Sequence, residues 1–253
     1  MRRLTARMSP AIMYKRPIAP AATPATGRCS GRRSTAVALF ADLRGFSSWS
    51  ESCSLDQVAD LVTLQFKEVM GICSDHGDPF HKFMGDGFVL LWELKADDDL
   101  PQCLGHAIEA AFTVHLRYST TVQRLPSPGP AGYGVGISAG EVIRIELEDP
   151  PSGTSEVDFV GYPLNCAARM QTLAPGFGTA VCSGTARMLA DDPERYLRPG
   201  MPASARRLLD PDADMLRRAT VTKGLKPEDR EGFRYLSFVD GREWAWRTPE
   251  TAQ

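Results

Sequence analysis

The sequence predicts an α/β fold with a mostly antiparallel sheet, in the chain order strand, helix, two strands, helix, strand. Three observations favour it. Short apolar runs have the composition of buried strands, two long segments repeat apolar residues with a helical period, and a Gly-Asp-Gly turn joins two of the strands. This order is typical of the ferredoxin-like βαββαβ fold, and 253 residues are enough for one large domain.

The first strand is predicted within STAVALFADL, residues 34–43, where almost every side chain is apolar or small. It ends on a carboxylate, Asp42, which is unusual for a buried strand. The first helix is predicted over residues 54–77, with Ser54 and Gln57 in the pattern of a capping box. Its apolar face is expected to consist of Leu55, Val58, Val62, Phe66, Val69 and Met70.

The two middle strands are predicted in residues 79–94 as a hairpin that turns at the Gly-Asp-Gly of residues 85–87, because Asp-Gly is favoured in tight hairpin turns. A second long helix is predicted over residues 100–125. A Pro- and Gly-rich loop follows it. Residues 133–147 are predicted to form a strand, a turn and another strand.

The remaining elements are shorter. A strand is predicted over residues 155–161, directly before a helix over residues 162–174. Residues 178–189 predict another strand and helix, and a polar stretch follows over residues 191–219. Residues 219–239 are expected to close the domain as a hairpin.

The ordered domain is expected to span residues 35–239, between a basic N-terminal tail (residues 1–34) and a C-terminal tail (residues 240–253). The first 34 residues carry eight Lys or Arg, no acidic residue and no apolar period. Such a segment buries too little apolar surface to order itself, so we expect it to be disordered. Its composition is also that of an organelle transit peptide.

Composition excludes several classes of protein. Beyond the basic tail the chain carries 21 Lys or Arg against 31 Asp or Glu, a balance that argues against a nucleic-acid partner. No apolar run approaches the roughly 18 residues of a membrane span. The six Cys are scattered, without a CxxC pair, which is typical of a reducing compartment. We therefore expect a cytoplasmic protein.

Two carboxylates are candidates for a metal site. If the first strand lies beside the hairpin, Asp42 and Asp86 emerge at the same edge of the sheet. Hard oxygen ligands there suit Mg²⁺ or Mn²⁺ together with substrate phosphates, and two such ions support an in-line displacement. Taken singly, each Asp is equally well explained as a strand-end or turn residue.

A second group of polar residues follows. Asn165 and Arg169 are four positions apart on a predicted helix and therefore share one face. The planar guanidinium group of an arginine is well suited to bind a phosphate. Asp158 ends the preceding strand and Lys82 lies in the hairpin. Lys223 is expected where the chain turns between its last two strands.

Over residues 35–238 the chain resembles the class III nucleotidyl cyclase catalytic domain. The order and approximate spacing of five motifs carry the resemblance: FADLRGFSSWSE, KFMGDG, GISAGEV, VDFVGYPLNCAARM and TKGL. It implies a ferredoxin-like core that is active as a head-to-tail homodimer with sites at the interface. The implied reaction is attack of the ribose 3′-hydroxyl of a nucleoside triphosphate on its α-phosphorus, which yields a 3′,5′-cyclic monophosphate and pyrophosphate.

The resemblance also implies roles for particular residues. Asp42 and Asp86 would hold two divalent ions, Mg²⁺ or Mn²⁺, with help from the backbone carbonyl of Leu43. Phe46 would lie against the substrate. Roles at the nucleotide are implied for five more residues: Lys82 and Asp158 would read the base, Asn165 would orient the ribose, Arg169 would stabilise charge at the reacting phosphate, and Lys223 would bind the triphosphate tail.

Two positions depart from the family pattern. Ser138-Ala139 stands where His-Thr is often found, and Tyr162 stands where many members have Asp. Neither belongs to the residues with implied roles, so these departures bear on the base pocket rather than on catalysis.

The residues do not decide whether the base of the substrate is adenine or a pyrimidine. Lys82 and Asp158 are the family's adenine-type pair, yet one donor beside one acceptor also matches cytosine and, with the roles exchanged, uracil. Phe83 or Phe159 could shorten the pocket to pyrimidine size. The compact build without a recognisable sensor segment resembles the bacterial uridylate and cytidylate cyclases of antiphage defence, whose product is read by a separate effector protein.

Two other classes of protein are weighed against an enzyme of this kind. A catalytically silent cyclase-like domain for nucleotide binding or dimerisation would usually lack a metal Asp or the Asn/Arg pair, and all four residues are present. A polymerase-like nucleotidyl transferase shares paired metal-binding carboxylates but needs a basic template groove, which the acidic balance argues against.

Overall fold

The computed structural model describes residues 28–96, 99–122, 129–149, 154–196 and 207–237. The predicted tails are therefore largely outside the described residues. The helices and strands are, in chain order, β1 (Arg28–Leu43), α1 (Phe46–Glu51), α2 (Leu55–Asp75), β2 (Phe80–Met84), β3 (Gly87–Glu93), α3 (Leu100–Val122), β4 (Tyr133–Asp149), β5 (Thr154–Val160), α4 (Tyr162–Leu173), β6 (Gly178–Val181), α5 (Ser183–Asp191), α6 (Pro193–Tyr196), α7 (Ala213–Val221), α8 (Pro227–Gly232) and β7 (Arg234–Ser237).

The strands of the described part form one sheet in the order β2-β3-β1-β4-β6-β7, with β5 also paired to β4. The first four strands in that order have the ferredoxin-like arrangement that the sequence predicts. All pairings are antiparallel except β4 with β6. The prediction of a mostly antiparallel α/β sheet is confirmed.

Residues 36–41 of β1 lie in the middle of the sheet and are mostly buried on both faces, which explains their nearly unbroken apolar sequence. Val37, Leu39 and Ala41 belong to the core that α2 and α3 cover. Ala36 and Ala38 alternate with them and face the layer formed by α4 and β5. This alternation assigns Asp42, four positions beyond Ala38, to the α4 face of the sheet.

Strands β1 and β4 are both longer than predicted. β1 begins at Arg28 rather than near Thr35, and it pairs with β4 along its whole length. The predicted turn within β4 is wrong, because Gly140 continues the strand opposite Ala36 with a φ of 153°. A continuous partner strand keeps both segments extended where local sequence suggested a break.

Helix α2 is present and its capping box at Ser54 and Gln57 is confirmed. Its predicted apolar face is wrong except at Val69. Leu55 is 87% exposed, and Phe66 instead packs on Phe83 of β2 at a ring distance of 4.0 Å. The helix has apolar residues on two sides, and the sheet selects the side formed by Leu61, Gln65, Val69, Ile72 and Cys73.

The predicted C-terminal hairpin is also wrong. Helices α7 and α8 precede a single strand, β7, which pairs with β6. Asp212 caps α7 through the backbone N–H of Met215, and Pro227 occupies the first turn of α8. Lys223 therefore lies in a turn between two helices. Among the described residues, no helix combines the length and apolarity that a membrane span requires.

Candidate active site

The structure brings Asp42 and Asp86 to the same end of the sheet. Asp42 is the next-to-last residue of β1, and Asp86 lies in the turn between β2 and β3. Because β3 pairs with β1, with Phe88 opposite Ala41, the turn lies beside the end of β1. Gly87 permits this approach, since a Cβ there would lie 3.0 Å from Oδ1 of Asp42 and 2.7 Å from a backbone oxygen of β1.

The electrostatics of this pair favour a bound cation. Burial raises the pKa of Asp86, and the negative charge of Asp42 raises it further, although hydrogen bonds from backbone N–H groups, including that of Leu43, oppose the rise. Burial also raises the pKa of Asp42, against the opposing charge of Arg44. Two poorly solvated carboxylates that repel each other are stabilised by a divalent ion between them. The donor set fits Mg²⁺ or Mn²⁺.

Gln65 fixes the turn that carries Asp86. It is a buried residue of α2, and its Nε2 donates a hydrogen bond of 2.8 Å to the backbone carbonyl of Asp86. A polar residue on a helix face that packs against the sheet needs such a partner. The sequence analysis missed this contact because it assigned the wrong face of α2 to the core.

Leu43 and Phe46 follow Asp42 directly. Leu43 is buried, and the chain then turns through Gly45, whose φ of 76° is in the left-handed region that favours glycine. Phe46 begins α1 and is half-buried, with its ring 5.8 Å from that of Trp49. Both residues therefore lie at the end of β1 that carries Asp42.

Lys82 and Asp158 form an ion pair, with Nζ and Oδ2 2.8 Å apart. The hydrogen bond from Lys82 holds the pKa of Asp158 below its ordinary value, and a 2.9 Å bond from the backbone N–H of Phe159 acts in the same direction. Phe80 lies two residues before Lys82 in β2, and its ring is 5.1 Å from that of Phe159. Phe83 points to the α2 face of the sheet, so the suggestion that it shortens the base pocket is wrong.

Asn165 and Arg169 lie on the exposed side of α4, as their spacing predicts. The opposite side of the helix, which includes Cys166 and Met170, is buried. Lys223 is exposed in the turn between α7 and α8. These three residues stand on α4 and in the turn between α7 and α8, whereas Asp42, Leu43, Phe46 and Asp86 stand on β1, on α1 and in the turn between β2 and β3.

Two arginines that the sequence analysis did not single out hold the end of α4. Arg44 donates to the backbone carbonyls of Gln171 and Ala174, the latter at 3.0 Å. Arg218 of α7 donates to two more carbonyls in the same turn. Cations at a helix C-terminus satisfy its free carbonyls and complement its dipole. Arg44 also interacts electrostatically with Asp42, so it connects α4 to the end of β1 that carries this carboxylate.

A buried polar group lies beneath α4. One ligand atom from each of Cys166, Cys182 and Asp229 falls within 4.8 Å of the others. The carboxylate of Asp229 already accepts hydrogen bonds from Tyr162 (2.6 Å), from the backbone and hydroxyl of Ser183 (2.9 and 2.7 Å) and from the thiol of Cys166. We therefore interpret the group as a structural hydrogen-bond network. Sequence could not reveal it, because its members lie far apart along the chain.

No protein-family model and no curated protein matches this sequence. Solved structures do match. The adenylyl cyclase CyaB from P. aeruginosa superposes with a TM-score of 0.55 at 18% identity, over 64% of this chain and 83% of that chain. The guanylyl cyclase Cya2 superposes with a TM-score of 0.52 at 25% identity, over 62% of this chain and 79% of that chain.

The catalytic core of a rhodopsin-guanylyl cyclase with converted specificity, in complex with ATPαS, gives a TM-score of 0.56 at 16% identity, over 82% of this chain and 97% of that chain. The chain therefore has the fold of adenylyl and guanylyl cyclase catalytic domains.

Proposed function

We propose that this protein is a nucleotide cyclase that converts a nucleoside triphosphate to a 3′,5′-cyclic mononucleotide and pyrophosphate. The observation that carries the proposal is the meeting of two half-buried carboxylates, Asp42 and Asp86, at one end of β1 in a chain with a cyclase fold. The Lys82–Asp158 pair supports it, because it offers one donor and one acceptor to a ring.

Asp42 and Asp86 would hold two Mg²⁺ or Mn²⁺ ions, with the carbonyl of Leu43 as a further ligand. Bound there, the ions would supply charge stabilisation to the attacking and leaving oxygens. Phe46 would lie against the substrate. Gln65 keeps the Asp86 turn in place, so the carboxylates are held before substrate arrives.

The nucleotide would be bound by the second group of residues. Asn165 would orient the ribose, Arg169 would stabilise the charge that develops on the α-phosphate, and Lys223 would hold the triphosphate tail. All three are exposed in the chain described. We propose that a second copy of this chain completes each site, so that the active form is a cytoplasmic homodimer with two composite sites.

The proposed base is adenine or a pyrimidine. Lys82 and Asp158 match either, and Phe159 is the aromatic residue next to that pair. If UTP or CTP is the substrate, the product fits a second messenger of bacterial antiphage defence that a separate effector protein reads. If ATP is the substrate, the product is cyclic AMP.

Incubation of the purified protein with Mn²⁺ and each of the four nucleoside triphosphates in turn tests the proposal, with the product identified by mass spectrometry. We expect one triphosphate to yield a cyclic mononucleotide. Asp86→Asn should abolish turnover while the protein stays folded, and Asp78→Asn, an exposed carboxylate at the other end of β2, should retain it. A folded dimer without any cyclic product would favour the catalytically silent alternative.

A further inference from the structure

Tyr162 links three parts of the fold through one hydroxyl group. It is the first residue of α4, and its hydroxyl donates a 2.6 Å hydrogen bond to Oδ2 of Asp229 in α8. The same oxygen accepts a 2.9 Å hydrogen bond from the backbone N–H of Lys226, and Nζ of Lys226 lies 4.4 Å above the tyrosine ring. The start of α4 is thus tied to the segment that follows the Lys223 turn.

Asp229 makes this connection rigid. It is 5% exposed, and Oδ1 accepts hydrogen bonds from both the backbone N–H and the hydroxyl of Ser183 at the start of α5. A buried carboxylate with every oxygen engaged holds its donors in fixed positions. Burial and the bond to Asp229 raise the pKa of Tyr162, so its hydroxyl stays protonated and remains a donor at physiological pH.

The turn that carries Lys223 needs such an anchor. Lys223 and Gly224 are exposed, and Gly224 adopts a left-handed φ of 86°. Leu225 is buried against the cluster that includes Cys166 and Met170 of α4. The hydrogen bond from Lys226 to Tyr162 then fixes the direction in which the chain leaves the turn.

We propose that Tyr162 is a positioning residue for Lys223. Its hydroxyl holds the turn between α7 and α8 against the start of α4, and so sets the distance from Lys223 to the helix face that carries Asn165 and Arg169. The inference rests on the proposed function in that Lys223 is taken to bind the triphosphate. A carboxylate in place of the Tyr162 hydroxyl would repel Asp229 instead of donating to it.

Amide hydrogen exchange tests the tether without any assay of activity. In Tyr162→Phe, the Lys226 amide should exchange at least roughly tenfold faster than in the wild type, because its acceptor is gone. Tyr118→Phe is the matched control, since it removes a buried phenol that donates to the carbonyl of Pro130 at 2.7 Å in the other layer. If the Lys226 amide were protected from exchange equally in Tyr162→Phe and in the wild type, the hydrogen bond to Tyr162 would not hold this segment, and the proposal would be wrong.

Kinetics test the positioning. Tyr162→Phe should raise KM for the triphosphate roughly threefold to tenfold, the value of one hydrogen bond, with little change in kcat. When Tyr162→Phe is added to Lys223→Ala, KM should rise no further than in Lys223→Ala alone, because the side chain that Tyr162 positions is already absent. An equal rise in the Lys223→Ala background, or in Tyr118→Phe, would mean a general loss of stability and would overturn the proposal.

The two proposals can fail separately. If the wild type turns over no triphosphate, the proposed function has failed. Binding of inorganic tripolyphosphate, measured by calorimetry on the same variants, then decides the role of Tyr162. Affinity that depends on Lys223 and weakens in Tyr162→Phe supports it, and equal affinity in all variants overturns it.

Discussion

Lys82 and Asp158 satisfy each other at 2.8 Å in the free chain, and both are about half exposed. A base that matches this pair would replace the ion pair between Lys82 and Asp158 with one hydrogen bond to each residue. A base that does not match would leave the ion pair intact. If both residues contact the ring rather than the reacting phosphorus, as we propose, removing one partner should change which triphosphate is used more than how fast the bond forms.

Asp158→Ala should reduce selection among the bases by roughly tenfold to a hundredfold, because one polar group of the bound base would lose its partner. The measurement is relative kcat/KM for ATP, GTP, CTP and UTP. Glu156→Ala, which removes an exposed carboxylate two residues earlier on β5, is the control and should keep the wild-type ratios. Identical ratios in both variants would show that Asp158 does not read the base.

His115 gives the folded protein a dependence on pH that is separate from catalysis. It is buried in α3, where burial lowers its pKa from 6.5 to about 3, and its Nε2 lies 3.1 Å from Oγ1 of Thr179. The folded state keeps it neutral, while the unfolded chain binds a proton below pH 6.5. The unfolding free energy therefore falls as pH decreases from 6.5 towards about 3.

Each pH unit in that window should remove up to about 1.4 kcal/mol of stability through His115. Urea unfolding at pH 6 and pH 5 measures the loss. His115→Gln, which has no proton to gain, should lose about 1 kcal/mol less over the same interval. Parallel losses in the two proteins would exclude His115 as the cause.

Several site residues could be predicted because each stands at a local signal in the sequence. Asp42 ends an apolar strand, Asp86 occupies a tight turn, and Asn165 and Arg169 share a helical spacing. Other contacts could not be predicted, because tertiary packing alone creates them. Those are the contact of Gln65 with the Asp86 turn, the capping of α4 by Arg44, and the network of Tyr162 with Asp229.

Among the elements, the central strand β1 shows that the length of a strand can depend on its partner strand, which the local sequence does not indicate. Residues 28–34 carry three Arg, two Ser and no apolar run, yet they extend β1 because β4 offers them a continuous partner. The ion pair of Arg32 with Glu93 at 2.8 Å adds a contact to β3. The prediction of a C-terminal hairpin was wrong for a related reason. Gly224 and Pro227 indicate turns, but they do not show that helices flank those turns.

A pair of truncations tests the extension of β1. Removal of residues 1–27 should leave the melting temperature and turnover unchanged. Removal of residues 1–34 should lower the melting temperature by several degrees, because it strips the outer half of β4 of a partner strand and deletes Arg32. Equal melting temperatures would mean that this part of the strand adds no stability.

At the scale of the whole molecule, the resemblance to class III cyclases motivates the proposed homodimer, because it implies sites that lie at the interface of two chains. Asp42→Ala and Arg169→Ala chains should each be inactive alone. When they are mixed, a heterodimer should contain one site with both defects and one intact site, so turnover should return, to half the wild-type value per dimer if the two sites are independent. Persistent inactivity despite heterodimer formation would contradict composite sites. Mixing wild-type chains with themselves through the same procedure is the control.

The capping of α4 by Arg44 has a consequence for such a dimer. Arg44 joins the end of β1, which would serve one site, to α4, which would serve the other. Occupancy of one metal pair would change the charge balance around Arg44 and, through Arg44, the position of α4, which in the proposed dimer would contact the substrate of the second site. The two sites would be cooperative, with a coupling free energy that is the same in both directions. The complemented heterodimer reports it, because its single intact site would turn over at a rate different from half that of the wild type, whereas independent sites would give half.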